Sequence, residues 1–126
     1  MPPIYALPVM GGHLSDYLQL LHSLDGRQPV FGVHPRGMDC RSAPDATMAA
    51  LSAHAAATIR RQDPSGPYTL MGYSYGTVVA FETARRLSEL GGEVAALILL
   101  DPIAPWKDAL RDLRAIYRPL KQGDAL

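Results

Sequence analysis

The residues best suited to chemistry form one short pattern, G-x-S-x-G, in which Gly72 and Gly76 flank Ser74. The pattern follows the apolar run Tyr68–Met71 and precedes an amphipathic stretch, Thr77–Leu90. In a strand–turn–helix unit of this kind, the serine occupies a strained turn that exposes its hydroxyl as a nucleophile. The glycines allow the strand and the helix to approach closely. A chance match in a glycine-rich chain is the alternative, and the flanking strand and helix patterns disfavour it.

A nucleophilic serine needs a base, and the base needs a group that orients it. Asp101 directly follows the apolar run Ala95–Leu100, which is the next predicted strand after Ser74. A carboxylate at that position emerges at the same edge of a parallel sheet as the serine, so we interpret Asp101 as the orienting acid. The alternative is that Asp101 only opens a turn before Pro102.

Two backbone N–H groups are candidates for stabilising an oxyanion. The N–H of Tyr75 lies at the start of the predicted helix, where backbone donors have no helical partner. The second donor is expected in the loop after the first strand, where the N–H of Val9 or Met10 could serve. Gly11 and Gly12 in the same loop also fit a simple tight turn, and the two interpretations are compatible.

The base is not evident in the sequence, because no histidine follows Asp101. All four histidines precede the serine: His13, His22, His34 and His54. His22 and His54 fall inside predicted helices and are interpreted as partly exposed helix residues. His13 and His34 fall in loops and could approach Ser74, since triads with other chain orders exist. The usual order of serine, acid and then histidine favours a base from a segment outside these 126 residues.

The elements that must position these residues alternate between strands and helices. The predicted strands are Ile4–Pro8, Pro29–Val33, Tyr68–Met71 and Ala95–Leu100. The predicted helices are Ser15–Leu24, with Ser15 or Asp16 as N-cap, Thr47–Gln62 with a capping Thr47, Thr77–Leu90, and Lys107–Arg118. This order predicts an α/β protein with a mostly parallel sheet and helices on both faces. Ala95–Leu100 is apolar on both sides, which predicts a strand buried on both faces.

Composition sets the outer limits on function. The chain has 126 residues, 12 basic and 12 acidic, and 48% apolar residues, which fits one globular domain and not a general nucleic-acid binder. No apolar run is long enough to span a membrane. The single cysteine, Cys40, fits a reducing cytoplasm and is interpreted as an incidental loop thiol. No histidine pair has the spacing of metal ligands, so no metal or cofactor is expected.

Several stretches resemble the thioesterase domains of non-ribosomal peptide and polyketide synthases. The resemblance lies in Gly66–Gly76 and Val79–Leu87, and in Ala95–Asp101, which is similar to the strand that carries the triad aspartate. Pro8–Gly12 resembles the oxyanion loop of the family, with Val9 at the donor position. Pro29–Val33 and the loop after it are similar to the second core strand and its loop.

The resemblance implies an α/β-hydrolase fold and an acyl-enzyme on Ser74, loaded from a phosphopantetheine thioester on an acyl or peptidyl carrier protein. Release by water or by a nucleophile of the acyl chain would follow. Family members continue into a lid, further strands and a histidine. We therefore expect residues 1–106 to be the N-terminal core and 107–126 the start of an incomplete lid. A stand-alone editing thioesterase, a generic serine esterase and a catalytically incomplete remnant without the histidine are the alternatives.

Overall fold

Four parallel strands form a single sheet in the computed structural model, which describes residues 1–9, 13–38, 40–45 and 47–102. The strands are β1 (Ile4–Ala6), β2 (Val30–Gly32), β3 (Tyr68–Tyr73) and β4 (Val94–Leu100). Their order across the sheet is β2-β1-β3-β4, and every pairing is parallel. The predicted parallel α/β architecture is therefore confirmed. The predicted helix Lys107–Arg118, and with it the expected start of a lid, lies outside the described residues.

Three α-helices connect the strands. They are α1 (Leu18–Ser23), which follows a 3₁₀ turn at Ser15–Tyr17, α2 (Met48–Gln62) and α3 (Tyr75–Glu89). Thr47 is the N-cap of α2 as predicted, since its hydroxyl accepts a hydrogen bond from the Ala50 N–H at 3.0 Å. The predicted cap by Ser15 or Asp16 is wrong: both residues lie inside the 3₁₀ turn, and its cap, Leu14, makes no side-chain hydrogen bond.

The two faces of the sheet carry separate apolar clusters, because successive strand residues point to opposite sides. On one face, Tyr5 and Leu70 pack with buried residues of α2 and α3 such as Ile59 and Val79. On the other face, a smaller cluster contains Ala6, Val9, Tyr17 and Met71. Helical residues thus cover both faces, as the sequence predicts. Along the described residues, no helix has the length and apolar character needed to cross a membrane.

β4 differs from its sequence-based prediction. Val94 is buried, Ala95 is exposed and the residues from Ala96 to Leu100 are only half-buried, so burial on both faces is wrong for this strand. The physical reason is its place in the sheet: among the described strands, β4 pairs with β3 alone and forms an edge. The apolar composition of a strand favours its burial, but the position of the strand in the sheet decides how much of it other elements bury.

Candidate active site

Ser74 alone forms the turn between β3 and α3, since the strand ends at Tyr73 and the helix begins at Tyr75. Its φ of 52° and ψ of −119° are rare for a residue with a side chain. The Ser74 N–H donates to the Leu100 carbonyl at 3.0 Å, and the Ser74 carbonyl accepts from the Thr77 N–H at 3.0 Å and the Thr77 hydroxyl at 2.6 Å. Hydrogen bonds on both sides therefore hold the strained turn that the sequence predicts.

The two motif glycines are required by space. A Cβ added to Gly72 would overlap the carbonyl of Gly76 and lie 2.8 Å from the Cα of Thr77. A Cβ added to Gly76 would lie 3.1 Å from both the Pro8 carbonyl oxygen and the Tyr17 hydroxyl. Gly72 thus allows β3 to meet α3, and Gly76 allows α3 to meet the chain that leaves β1.

Asp101 lies at the same edge of the sheet as Ser74. The register pairs Tyr73 with Leu100, so Ser74 and Asp101 directly follow paired residues on adjacent strands. Asp101 is exposed and has a φ of 48°, which turns the chain away at the end of β4. Neighbouring strands lie about 4.8 Å apart, so Ser74 and Asp101 emerge one strand apart. The orienting role of Asp101 stays a prediction.

The two predicted oxyanion residues line one cavity. Val9, which is buried, and Tyr75, which is half-buried, both contribute to a space of about 330 Å³ beside the turn. Tyr75 is the first residue of α3, where backbone N–H groups have no partner within the helix. The alternative donor, Met10, lies outside the described residues. The arrangement can present backbone donors to a negatively charged oxygen near Ser74.

Other lining residues of this cavity come from the chain after β2 and from α2. They include Arg36, Met38, Asp45 and Leu51. One carboxylate oxygen of Asp45 is buried and makes no hydrogen bond. The volume lies in the range of small-molecule sites, and the lining is mostly apolar with a few polar groups, as is typical of ligand pockets.

The four histidines lie apart from the serine turn or are exposed. His34 lies two residues after the end of β2, and β1 lies between β2 and β3, which separates these two strands by about 10 Å. His34 lines a neighbouring cavity together with His54, whose Nδ1 accepts a hydrogen bond from Arg36 Nε at 3.4 Å. His13 is exposed in the loop before α1, and His22 is exposed in α1.

Tyr17 belongs to the site although the sequence does not single it out. Its ring is buried, and its hydroxyl donates to the Leu7 carbonyl at 2.7 Å and accepts from the Tyr73 N–H at 2.9 Å. Burial raises the pKa of Tyr17 to about 12, so the hydroxyl keeps its proton at neutral pH and can both donate and accept. Its partners lie 10 and 56 residues away, so no local pattern could have identified it.

Two further features concern the cysteine and possible metal ligands. Cys40 is exposed. Within the described part of the chain, no three histidine, cysteine, aspartate or glutamate residues come together as metal ligands would.

Comparison with known proteins gives one consistent family. The family model of the thioesterase domain matches residues 2–118. Indigoidine synthase of Dickeya dadantii (strain 3937) is 42% identical over 112 residues, which are 89% of this chain and 7% of the relative.

Solved structures give the same result. The NocB thioesterase domain from the nocardicin cluster, in covalent complex with a fluorophosphonate nocardicin G analogue, is 25% identical with a TM-score of 0.73, covering 95% of this chain and 54% of that chain. The type II thioesterase BorB from the borrelidin cluster is 27% identical with a TM-score of 0.69. The match covers 99% of this chain and 55% of BorB. The present chain thus spans about half of these solved thioesterases and less than a tenth of indigoidine synthase.

Proposed function

Because the chain belongs to the thioesterase domain family and has the α/β-hydrolase fold, we propose that it supplies the nucleophile of a serine thioesterase. The proposed substrate is an acyl or peptidyl chain held as a phosphopantetheine thioester on a carrier protein. The enzyme would release that chain in natural-product biosynthesis, and the similarity to indigoidine synthase supports this setting. Among the alternatives, generic ester hydrolysis uses the same residues and differs only in substrate.

The conformation of Ser74 carries the proposal. A left-handed φ of 52° at a serine between a strand and a helix is costly, and such strain persists where the surrounding structure enforces it. Here the Leu100 carbonyl and both polar groups of Thr77 hold the turn. The expected result is a hydroxyl presented above the sheet edge, where a substrate carbonyl can reach it.

The proposed reaction has two steps. Ser74 Oγ attacks the thioester carbon and gives its proton to a base, while the backbone N–H groups of Val9 and Tyr75 stabilise the oxyanion. The carbon–sulfur bond then breaks, and the pantetheine sulfur leaves as a thiol with that proton. In the second step, water or a nucleophile of the acyl chain gives a proton to the base and attacks the resulting ester. The bond between the acyl carbon and Ser74 Oγ then breaks, and Oγ takes that proton. Asp101 would orient the base and stabilise its charged form.

We propose that the base lies outside these 126 residues. The described positions of His34, two strands away, and of His13, exposed in a loop, support this. The solved relatives are about twice as long as the matched region, which leaves room for such a residue in the complete protein.

A fluorophosphonate probe tests the nucleophile, since the NocB thioesterase domain forms a covalent complex with such a compound. In protein expressed from the complete reading frame, we expect labelling of the wild type and none of Ser74→Ala. Ser88→Ala is the matched control, because Ser88 is another half-buried serine, located on α3. Absence of labelling in the wild type, or labelling that persists in Ser74→Ala, would contradict the proposed function.

A stand-alone editing role is the second candidate, and the similarity to the type II thioesterase BorB favours it. Carrier proteins loaded with a long peptidyl chain and with an acetyl group separate the two roles. A releasing enzyme should hydrolyse or cyclise the long chain faster, because its pocket contributes binding energy from the remote part of the substrate. Faster removal of the acetyl group would favour editing.

A further inference from the structure

The hydrogen-bond ladder between β1 and β3 changes at the end of the sheet. Ala6 pairs with Met71, and the Leu7 N–H donates to the Met71 carbonyl at 2.9 Å. In a regular parallel ladder, the next bond would join the Tyr73 N–H directly to the Leu7 carbonyl. The Tyr17 hydroxyl lies between these two groups instead, bonded to both. A side chain therefore replaces one rung of the ladder at the level where the site begins.

This bridge lies at an equal distance along the chain from both proposed oxyanion donors. Leu7 precedes Val9 by two residues, and Tyr73 precedes Tyr75 by two residues. A bridged pair of bonds, 2.9 and 2.7 Å long, keeps the two chains farther apart than one direct bond of about 2.9 Å would. Gly76 leaves room for the hydroxyl, since an added Cβ would lie 3.1 Å from it.

We propose that Tyr17 is a positioning residue whose hydroxyl sets the separation between the backbone donors of Val9 and Tyr75. This inference rests on the proposed function. Without the hydroxyl, the Tyr73 N–H and the Leu7 carbonyl either stay buried without this partner or close into a direct bond. A direct bond would draw the two donors together, and an unfilled gap would leave their separation without the contact that sets it. A displacement of about 1 Å in a preorganised site can cost about 100-fold in rate.

The test is the reaction of a fluorophosphonate probe with Tyr17→Phe in protein from the complete reading frame. We expect the maximal rate of inactivation to fall about 10- to 100-fold, with the probe concentration for half-maximal rate nearly unchanged. A purely structural role would lower the amount of folded protein and leave the rate constant of the folded fraction as in the wild type. A lower maximal rate of inactivation with an unchanged half-maximal probe concentration therefore identifies a positioning role.

Tyr5→Phe is the matched control. Tyr5 is as buried as Tyr17, at 3% against 2% exposure, but its hydroxyl makes no hydrogen bond. We expect Tyr5→Phe to react like the wild type. If Tyr17→Phe does not fold, Gly76→Ala is the second variant, because its methyl group presses on the same hydroxyl. It should also lower the maximal rate.

The outcomes separate the inference from the proposed function. A labelled wild type with a wild-type rate in Tyr17→Phe, or in Gly76→Ala where Tyr17→Phe does not fold, overturns the positioning role and leaves Ser74 as the nucleophile. A wild type that the probe does not label overturns the proposed function, and the positioning role with it. An equal loss of rate in Tyr5→Phe also overturns the positioning role, since that hydroxyl makes no hydrogen bond to either chain of the ladder.

Discussion

At the turn after β3, backbone conformation constrains one residue and steric space constrains another. Ser74 is constrained by conformation, because its φ of 52° places a side chain in the left-handed region. Gly72 is constrained by space, since its missing Cβ would overlap backbone atoms of α3, which cannot move as a flexible side chain can. The turn forms because hydrogen bonds stabilise the strained backbone of Ser74, and because glycine at position 72 has no Cβ to overlap α3.

We predict that Gly72→Ala lowers the free energy of unfolding by about 3 kcal/mol, because overpacking against fixed backbone is costly. Gly91→Ala is the comparison. Gly91 has a φ of 85° but open space around it, so its substitution should cost only about 1 kcal/mol from conformation. Urea unfolding of both variants measures the difference. Equal losses would show that space at Gly72 is not the constraint described above.

At the scale of elements, the sequence predicts type and order well and exact ends less well. All four strands and the three helices within the described residues occur in the predicted order. The predicted start of α3 at Thr77 is two residues late, because Tyr75 and Gly76 already have helical backbone. Helix propensity cannot show this start, since it depends on the strained serine before it. The predicted cap by Ser15 or Asp16 fails because both residues lie inside the 3₁₀ turn, which ends at the buried Tyr17.

The start of α2 depends on one hydrogen bond that the sequence does predict. Thr47→Ala removes the acceptor for the Ala50 N–H and should lower the free energy of unfolding by about 1 kcal/mol. Thr47→Ser keeps an oxygen in place and should cost less than half as much. Thermal unfolding of the two variants checks this, and similar losses for serine and alanine would mean that the methyl group of Thr47, not the cap, is responsible.

At the scale of the whole molecule, the strand order decides which predicted residues meet. The strands β1, β3 and β4 are adjacent, and Val9, Ser74 and Asp101 each follow the end of one of them by one to three residues. The proposed oxyanion loop, nucleophile and acid therefore share one edge of the sheet. β2 is the outer neighbour of β1, which leaves His34 beyond the oxyanion loop. The alternation of elements predicts a shared edge for all four loops, but only the order across the sheet shows which loops are neighbours. The bridging role of Tyr17 also arises at this scale.

The same strand order predicts which histidines are dispensable. We expect His34→Ala and His13→Ala each to retain thioesterase activity within about threefold of the wild type, because both side chains are exposed and neither should carry the proton. Loss of a true catalytic base costs on the order of 10⁶-fold in kcat, as loss of the nucleophile does. Steady-state hydrolysis of an acyl-pantetheine thioester by the complete protein measures this, with Ser74→Ala as the reference for full loss. A fall to the level of Ser74→Ala in either histidine variant would place the base inside these 126 residues and would require the loop after β1 or β2 to approach the serine turn more closely than the strand order indicates.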